Sequence, residues 1–156
     1  MSSIEGLMVA DYAEIIGNKL YVQGGGWDRL TVNSDFPVQQ MVGIAASFLV
    51  PWNETNQRLT AQVEIQTEDG EPVGKLEGQF EVGRPAGIRP GQEQRFQIAA
   101  NIPLTLKKPG AYVIIGRLEG QELRRTHFNV VVGAFLAERV QRQQKDSGSE
   151  GEPGVA

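Results

Sequence analysis

Strict two-residue alternation over Leu59–Thr67 constrains this chain more than any other feature. Leu59, Ala61, Val63 and Ile65 alternate with Thr60, Gln62, Glu64 and Gln66. Successive side chains of a β-strand point to opposite faces, so one face of this segment is dry and the other wet. Glu68-Asp69-Gly70-Glu71-Pro72 then reads as a turn, with glycine available for positive φ. The pattern resumes beyond it: Leu76, Gly78, Phe80 and Val82 face one way, Lys75, Glu77, Gln79 and Glu81 the other. The two runs predict a hairpin.

The same period recurs along the chain. Phe96, Ile98, Ala100, Ile102 and Leu104 form an inward series against Arg95, Gln97 and Asn101, with Pro103 outward. Proline donates no ladder hydrogen bond, which puts this end at a sheet edge or a strand terminus. The glycines and prolines of residues 83–91 predict a loop before it. Pro109-Gly110 opens a second hairpin. Its strands are 111–118, with Tyr112, Ile114 and Leu118 on one face, and 123–132, with Thr126, Phe128, Val130 and Val132 inward. Two short strands, Leu7–Tyr12 and Lys19–Gly24, meet near Gly17-Asn18.

Met41–Val50 is different, because Gly43 to Val50 is almost continuously apolar. Such a run suits a central strand covered on both faces, or one whose outer face meets a partner. A buried helix is the rival reading, and Val50-Pro51 leaves it short. These segments predict an all-β chain: an antiparallel immunoglobulin-like β-sandwich of about eight strands. After Gly133 the spacing of Phe135, Leu136, Arg139 and Val140 becomes helical, predicting a short C-terminal helix. From Asp146 the chain is Ser, Gly, Glu and Pro with almost nothing to bury, so disorder is expected. The expected organisation is a sandwich over 1–136, a helical extension over 137–145 and a tail over 146–156.

The net charge of −4 argues against a nucleic-acid partner, whose phosphates call for a basic stripe. The only adjacent basic pairs are Lys107-Lys108 and Arg124-Arg125. With no cysteine, disulfides, thiolate catalysis and cysteine-ligated zinc are excluded. No apolar run approaches the ~18 residues of a membrane helix, and the start lacks the pattern of a secretory signal. A cytoplasmic location without membrane contact is the expectation.

Ala10-Asp11-Tyr12-Ala13, the run Gly17-Asn18-Lys19-Leu20-Tyr21-Val22-Gln23-Gly24-Gly25-Gly26-Trp27, Val50-Pro51-Trp52-Asn53-Glu54 and the Pro109-Gly110-Ala111-Tyr112 hairpin together resemble a family of small uncharacterised bacterial proteins classed as a domain of unknown function. The resemblance covers roughly residues 7–132. It implies an all-β fold and passes on no activity, ligand or functional residue.

The usual chemistries lack their parts. Nucleophilic hydrolysis needs a base beside its nucleophile. The sole histidine, His127, points outward by parity between Arg125 and Asn129. One histidine and no cysteine leave zinc a carboxylate shell. Asp11, Asp28 and Asp35 form no Asp-x-Asp cluster for calcium. Gly24-Gly25-Gly26 lacks the Gly-Lys-Ser/Thr continuation of a phosphate loop and stands in β context; it reads as a bulge or corner with Trp27 folded over it. Glu64, Glu77 and Glu81 leave a carboxylate-based hydrolase as one alternative. A sandwich binding a carbohydrate or small ligand through exposed aromatics is another. The candidate contact residues are Trp27, Trp52 and Tyr112. The leading expectation is a non-catalytic binding or assembly module, without cofactor or metal, that self-associates or binds another protein.

Overall fold

The alternating segments pair as their periods require. The computed structural model describes residues 1–84, 86–87, 89–134, 141–142 and 144–145. Among these are β1 (Ser3–Ile16), β2 (Lys19–Gly25), β3 (Arg29–Val32), β4 (Val38–Val50), β5 (Arg58–Thr67), β6 (Pro72–Glu81), β7 (Gln94–Leu106), β8 (Gly110–Leu118) and β9 (Gln121–Val132). They form a four-stranded sheet of order β2-β1-β4-β7 and a five-stranded sheet of order β3-β9-β8-β5-β6. The inward side chains of both fill one core, which includes Ile44, Phe48, Val63, Ile65, Leu104, Ile114 and Phe128. The architecture is thus all-β in two layers.

Nine strands stand where about eight were expected, and β3 is the addition. Its four residues, Arg-Leu-Thr-Val, are too short to show a period. It is held by parallel pairing with β9, from Arg29 opposite Asn129 to Val32 opposite Val132, a partner remote in sequence. The expected helix over 137–145 rests mostly on residues outside the described set, and the expected tail over 146–156 lies wholly outside it. No helix among the described residues is long and apolar enough to cross a membrane.

Hairpin registers follow from the turns. At β1–β2, Gly17 and Asn18 both take positive φ (55° and 62°). Two such residues suit a two-residue turn whose twist matches the strands it joins. The β5–β6 register sets Val63 against Leu76, Ala61 against Gly78 and Leu59 against Phe80, the dry face read from the sequence. At the β7–β8 corner the Tyr112 hydroxyl donates to the Lys108 carbonyl at 2.6 Å. A tyrosine near the start of a strand, bonded back to the backbone just upstream, is the tyrosine corner of immunoglobulin-like sandwiches.

The apolar β4 run has its explanation in β1. From Ser3 to Ala10, β1 pairs with β4; beyond Ala10 it leaves that ladder and continues with β2 alone. The departing segment crosses the outer face of β4. A Cβ on Gly43 would lie 2.8 Å from the Ala13 nitrogen and from the Tyr12 carbonyl carbon, so only glycine admits the crossing. Asn101 on β7, directly opposite Gly43, brackets the crossing strand. Its Oδ1 accepts from the Ala13 N–H at 3.0 Å, and its Nδ2 donates to the Ala13 carbonyl at 2.9 Å. Of the outward residues of β4, Gly43 lies under this strap, and Ala45 and Ser47 are buried, Ser47 against Glu5, whereas Met41 is exposed. From Gly43 to Ser47 the outer face of β4 is therefore covered by the chain itself and is not left open for a partner, while Met41 at its start faces solvent.

Candidate functional site

The core opens at the seam between β6 and β7. β6 ends the five-stranded sheet and β7 ends the four-stranded sheet. They meet at two places. At one, Phe80 stacks flat on Phe96, with ring centroids 3.7 Å apart and planes 6° from parallel. At the other, Gly74 lies so close to Leu104 that a Cβ there would collide with the leucine side chain. Between these contacts the strands leave a slot of about 350 Å³.

The slot exists because of a missing side chain. The inward series of β6 runs Leu76, Gly78, Phe80, and nothing lies within 4 Å of where a Gly78 Cβ would stand. Ala61, opposite Gly78, is also small, and both line the cavity. Leu76, Phe80, Phe96 and Ile98 form its apolar walls, with Gln79 and Gln97 as its amides. Ile15, from the strap, and Ala99 stand at the β7 rim. β7 shows the consequence: Phe96 to Ile102 are half-buried throughout, whereas Leu104 and Leu106, beyond the Gly74 contact, are sealed.

The slot continues into a wider cleft of about 950 Å³, sharing Ile15, Phe96 and Gln97. Its further lining is polar and includes Asn18, Lys19, Glu81, Gln94 and Arg95. Arg95 is already engaged there. Its guanidinium forms a two-point ion pair with Glu5, through Nε and through Nη2 at 3.1 Å, and Glu5 also accepts from Ser47 Oγ at 2.6 Å. The Arg95 hydrogen bond, then that of Ser47, holds the Glu5 carboxyl below its ordinary range. The pair ties β1, β4 and β7 together across the outer face.

The aromatics read as candidate contacts sit elsewhere. Tyr112 is 1% exposed and stacks on Phe128 at 5.5 Å, so it presents nothing to a ligand. Trp27 is half-buried, folded edge-on against Phe128 at 5.5 Å, and its Nε1 finds no acceptor among the protein atoms. It closes the corner made by Gly24 and Gly26, both at positive φ. Trp52 is half-buried under the Arg84 guanidinium, 3.8 Å from its ring centroid, while Arg84 also donates to the Trp52 carbonyl at 2.9 Å and to Thr55 Oγ1 at 2.6 Å. The three do not converge. Among the described residues, the aromatics that face solvent are Tyr12 and Tyr21, on the outer face of the strap.

His127 is exposed on β9, opposite Val113. Glu64 pairs with Arg117 at 3.7 Å and Glu77 with Lys75 at 2.9 Å. Among the described residues no three of histidine, aspartate or glutamate gather as a metal shell. The slot itself was not singled out from the sequence, where Leu76, Phe80, Phe96 and Ile98 look like ordinary core. One signal was available: a glycine interrupting an inward apolar series leaves a hole unless a neighbour fills it.

No curated protein matches the chain. Among solved structures, it is similar to an alkylpurine DNA glycosylase from Pseudomonas fluorescens, at 13% identity over 83% of this chain and 30% of that one, with a TM-score of 0.41. A β-glucosidase from Erythrobacter marinus matches at 14% identity over 84% of this chain and 15% of its own, with a TM-score of 0.41. An immunoglobulin-like protein from Pseudomonas aeruginosa matches at 13% identity over 83% of this chain and 96% of its own, with a TM-score of 0.36. The chain thus spans less than a third of the two enzymes. A family model matches residues 5–131, and the chain belongs to that family, the family of unknown function DUF6941.

Proposed function

We propose that the domain is a non-catalytic, immunoglobulin-like binding module that takes an extended polypeptide segment along β6, with apolar side chains of that segment seated in the β6–β7 slot. One observation carries the reading: an apolar cavity of about 350 Å³ opens between two strand edges that have no neighbour in either sheet. Ligand sites of this size are mostly apolar with a few polar groups at the mouth, and the glutamines and the charged cleft supply those. The free edges favour a polypeptide over a small apolar molecule. An added strand satisfies the backbone N–H and C=O groups of the edge and drops alternate side chains onto one face. A small ligand would leave that backbone unused. The Tyr112–Lys108 bond supports the immunoglobulin-like assignment.

The test is selection of short random peptides displayed on phage against the whole chain, followed by amide chemical-shift mapping of the enriched peptides. Enriched sequences should alternate apolar and polar residues and shift the amides of β6. Gly78→Leu fills the slot from within at a position with open space and an ordinary φ. It should keep the fold and lose the peptides. Peptides that bind Gly78→Leu as well as the parent, or that shift amides remote from β6, would refute the reading.

A further inference from the structure

We infer that the strand received by β6 is β6 of a second copy of this chain, in antiparallel register centred on Leu76. The inference rests on the strand-addition reading and names its partner. The charge pattern of β6 selects it. On the outward face stand Lys75, Glu77, Gln79 and Glu81, and only the first is basic. In an antiparallel pair related by a two-fold axis, residues facing each other have numbers with a constant sum, and the interface repeats itself on both subunits.

Centring on Leu76 sets Lys75 opposite Glu77 of the partner subunit, and Glu77 opposite Lys75 of the partner subunit. The existing Lys75–Glu77 ion pair, at 2.9 Å with both side chains about half exposed, becomes a square of alternating charge. Leu76 meets Leu76 of the partner subunit on the inward face. Gly74 to Gly78 pair as an unbroken run, which stops at Val73, where the β6 register with β5 shifts. Centring on Glu77 would pair a slightly longer unbroken run but set that carboxylate against itself, and like charges directly opposite destabilise a ladder. Centring on Gly78 would place two glycines, with no side chain between them, at the middle. The chosen register also keeps the inward faces of both sheets on one side, so the two slots face each other across the seam.

Sedimentation equilibrium on the full chain tests this, with three variants on the exposed face. The parent should be a dimer. Lys75→Glu and Glu77→Lys each replace two attractive pairs by two repulsive ones. Each should raise the dimer dissociation constant about tenfold, because two cross-strand charge pairs of up to about 1 kcal/mol apiece are lost and replaced by repulsion. The double variant Lys75→Glu/Glu77→Lys restores opposite charges and should restore the dimer. A dimer that neither single variant weakens, or that the double variant does not rescue, overturns the register. A parent that stays monomeric overturns self-pairing, and the strand-addition reading survives if selected peptides still shift the β6 amides. A charge-switched dimer for which no foreign peptide is selected supports β6 as its own partner and refutes only a foreign ligand. Unchanged thermal unfolding of the variants at low concentration confirms that the exposed substitutions leave the fold intact.

Discussion

Asn101→Ala tests the device that shapes this domain, the strap of β1 and β2 over the outer sheet. The asparagine side chain makes two hydrogen bonds, one from the Ala13 N–H at 3.0 Å and one to the Ala13 carbonyl at 2.9 Å. Ala13 is 1% exposed, so neither backbone group has ready access to water. Leaving a buried donor or acceptor unsatisfied costs about 1–3 kcal/mol. Two groups give about 2–4 kcal/mol after allowing for some water entry once the side chain is gone. A domain of this size loses about 2–4 °C in Tm per kcal/mol, so Tm should fall by about 4–16 °C. Amide exchange gives the local readout: the Ala13 N–H should exchange much faster in the variant, ahead of the core amides of β4 and β5. Gly43→Ala attacks the same contact from below, since its Cβ would sit 2.8 Å from backbone atoms of the strap. Both changes act on one crossing, so the double variant should cost less than the sum of the singles. A Tm within about 2 °C of the parent, with Ala13 exchange unchanged, would refute the claim that Asn101 fastens the strap.

Two further outcomes follow from the electrostatics and the corner. Tyr112→Phe removes only the hydroxyl that donates to Lys108, so it should cost about 0.5–1.5 kcal/mol in denaturant midpoint, with the fold and the Phe128 stack retained. The carboxyls of Glu5, Glu71 and Glu122 are held below their ordinary range, chiefly by hydrogen bonds from Arg95, Lys107 and Arg125 respectively. Their contribution is complete above the unfolded carboxylate pKa and disappears as pH falls through the lowered folded values. Stability should therefore decline on the acid side, and Arg95→Gln should make that decline shallower; an acid limb of unchanged slope in Arg95→Gln would remove Glu5 from the account.

What was legible in the sequence was whatever a local period encodes. Leu59 to Ile65 and Leu76 to Phe80 specify a dry face by spacing alone, and the observed register pairs those residues. Pro103 marked that end of its strand as a sheet edge or a terminus, and β7 is an edge strand. Even the burial of Tyr112 was present in its parity with Ile114 and Leu118; treating it as a contact set residue type above position. The features that escaped are those fixed between distant segments. β3 has too few residues for a period and owes its existence to β9. The small outward residues of β4 and β7 made room for a strap from the N-terminal hairpin, and nothing within Gly43 to Ser47 says which segment crosses them. The slot is likewise a difference between two edges, visible only once Gly78 and Phe96 are placed across a seam.

The edges of this sandwich are not guarded alike. An open sheet edge invites pairing with another chain, and soluble proteins blunt it with short strands, prolines or inward charges. β3 has only four residues. β2 belongs to the strap and ends in glycines at the corner closed by Trp27. β7 carries Pro103 on its exposed side and is shielded by Ile15 at the slot. β6 has ten residues, its only proline is the first, and its inward series of Leu76, Gly78 and Phe80 holds no charge. A lysine at position 76 or 78 would have blunted this edge, and the open space beside Gly78 would have admitted one. The chain instead keeps its charges on the outward face, where in the proposed pairing they would specify a register. From Gly74 to Glu81, beyond the irregularity at Val73, β6 is the least guarded of the sheet edges described, which is why the proposed strand addition is placed there.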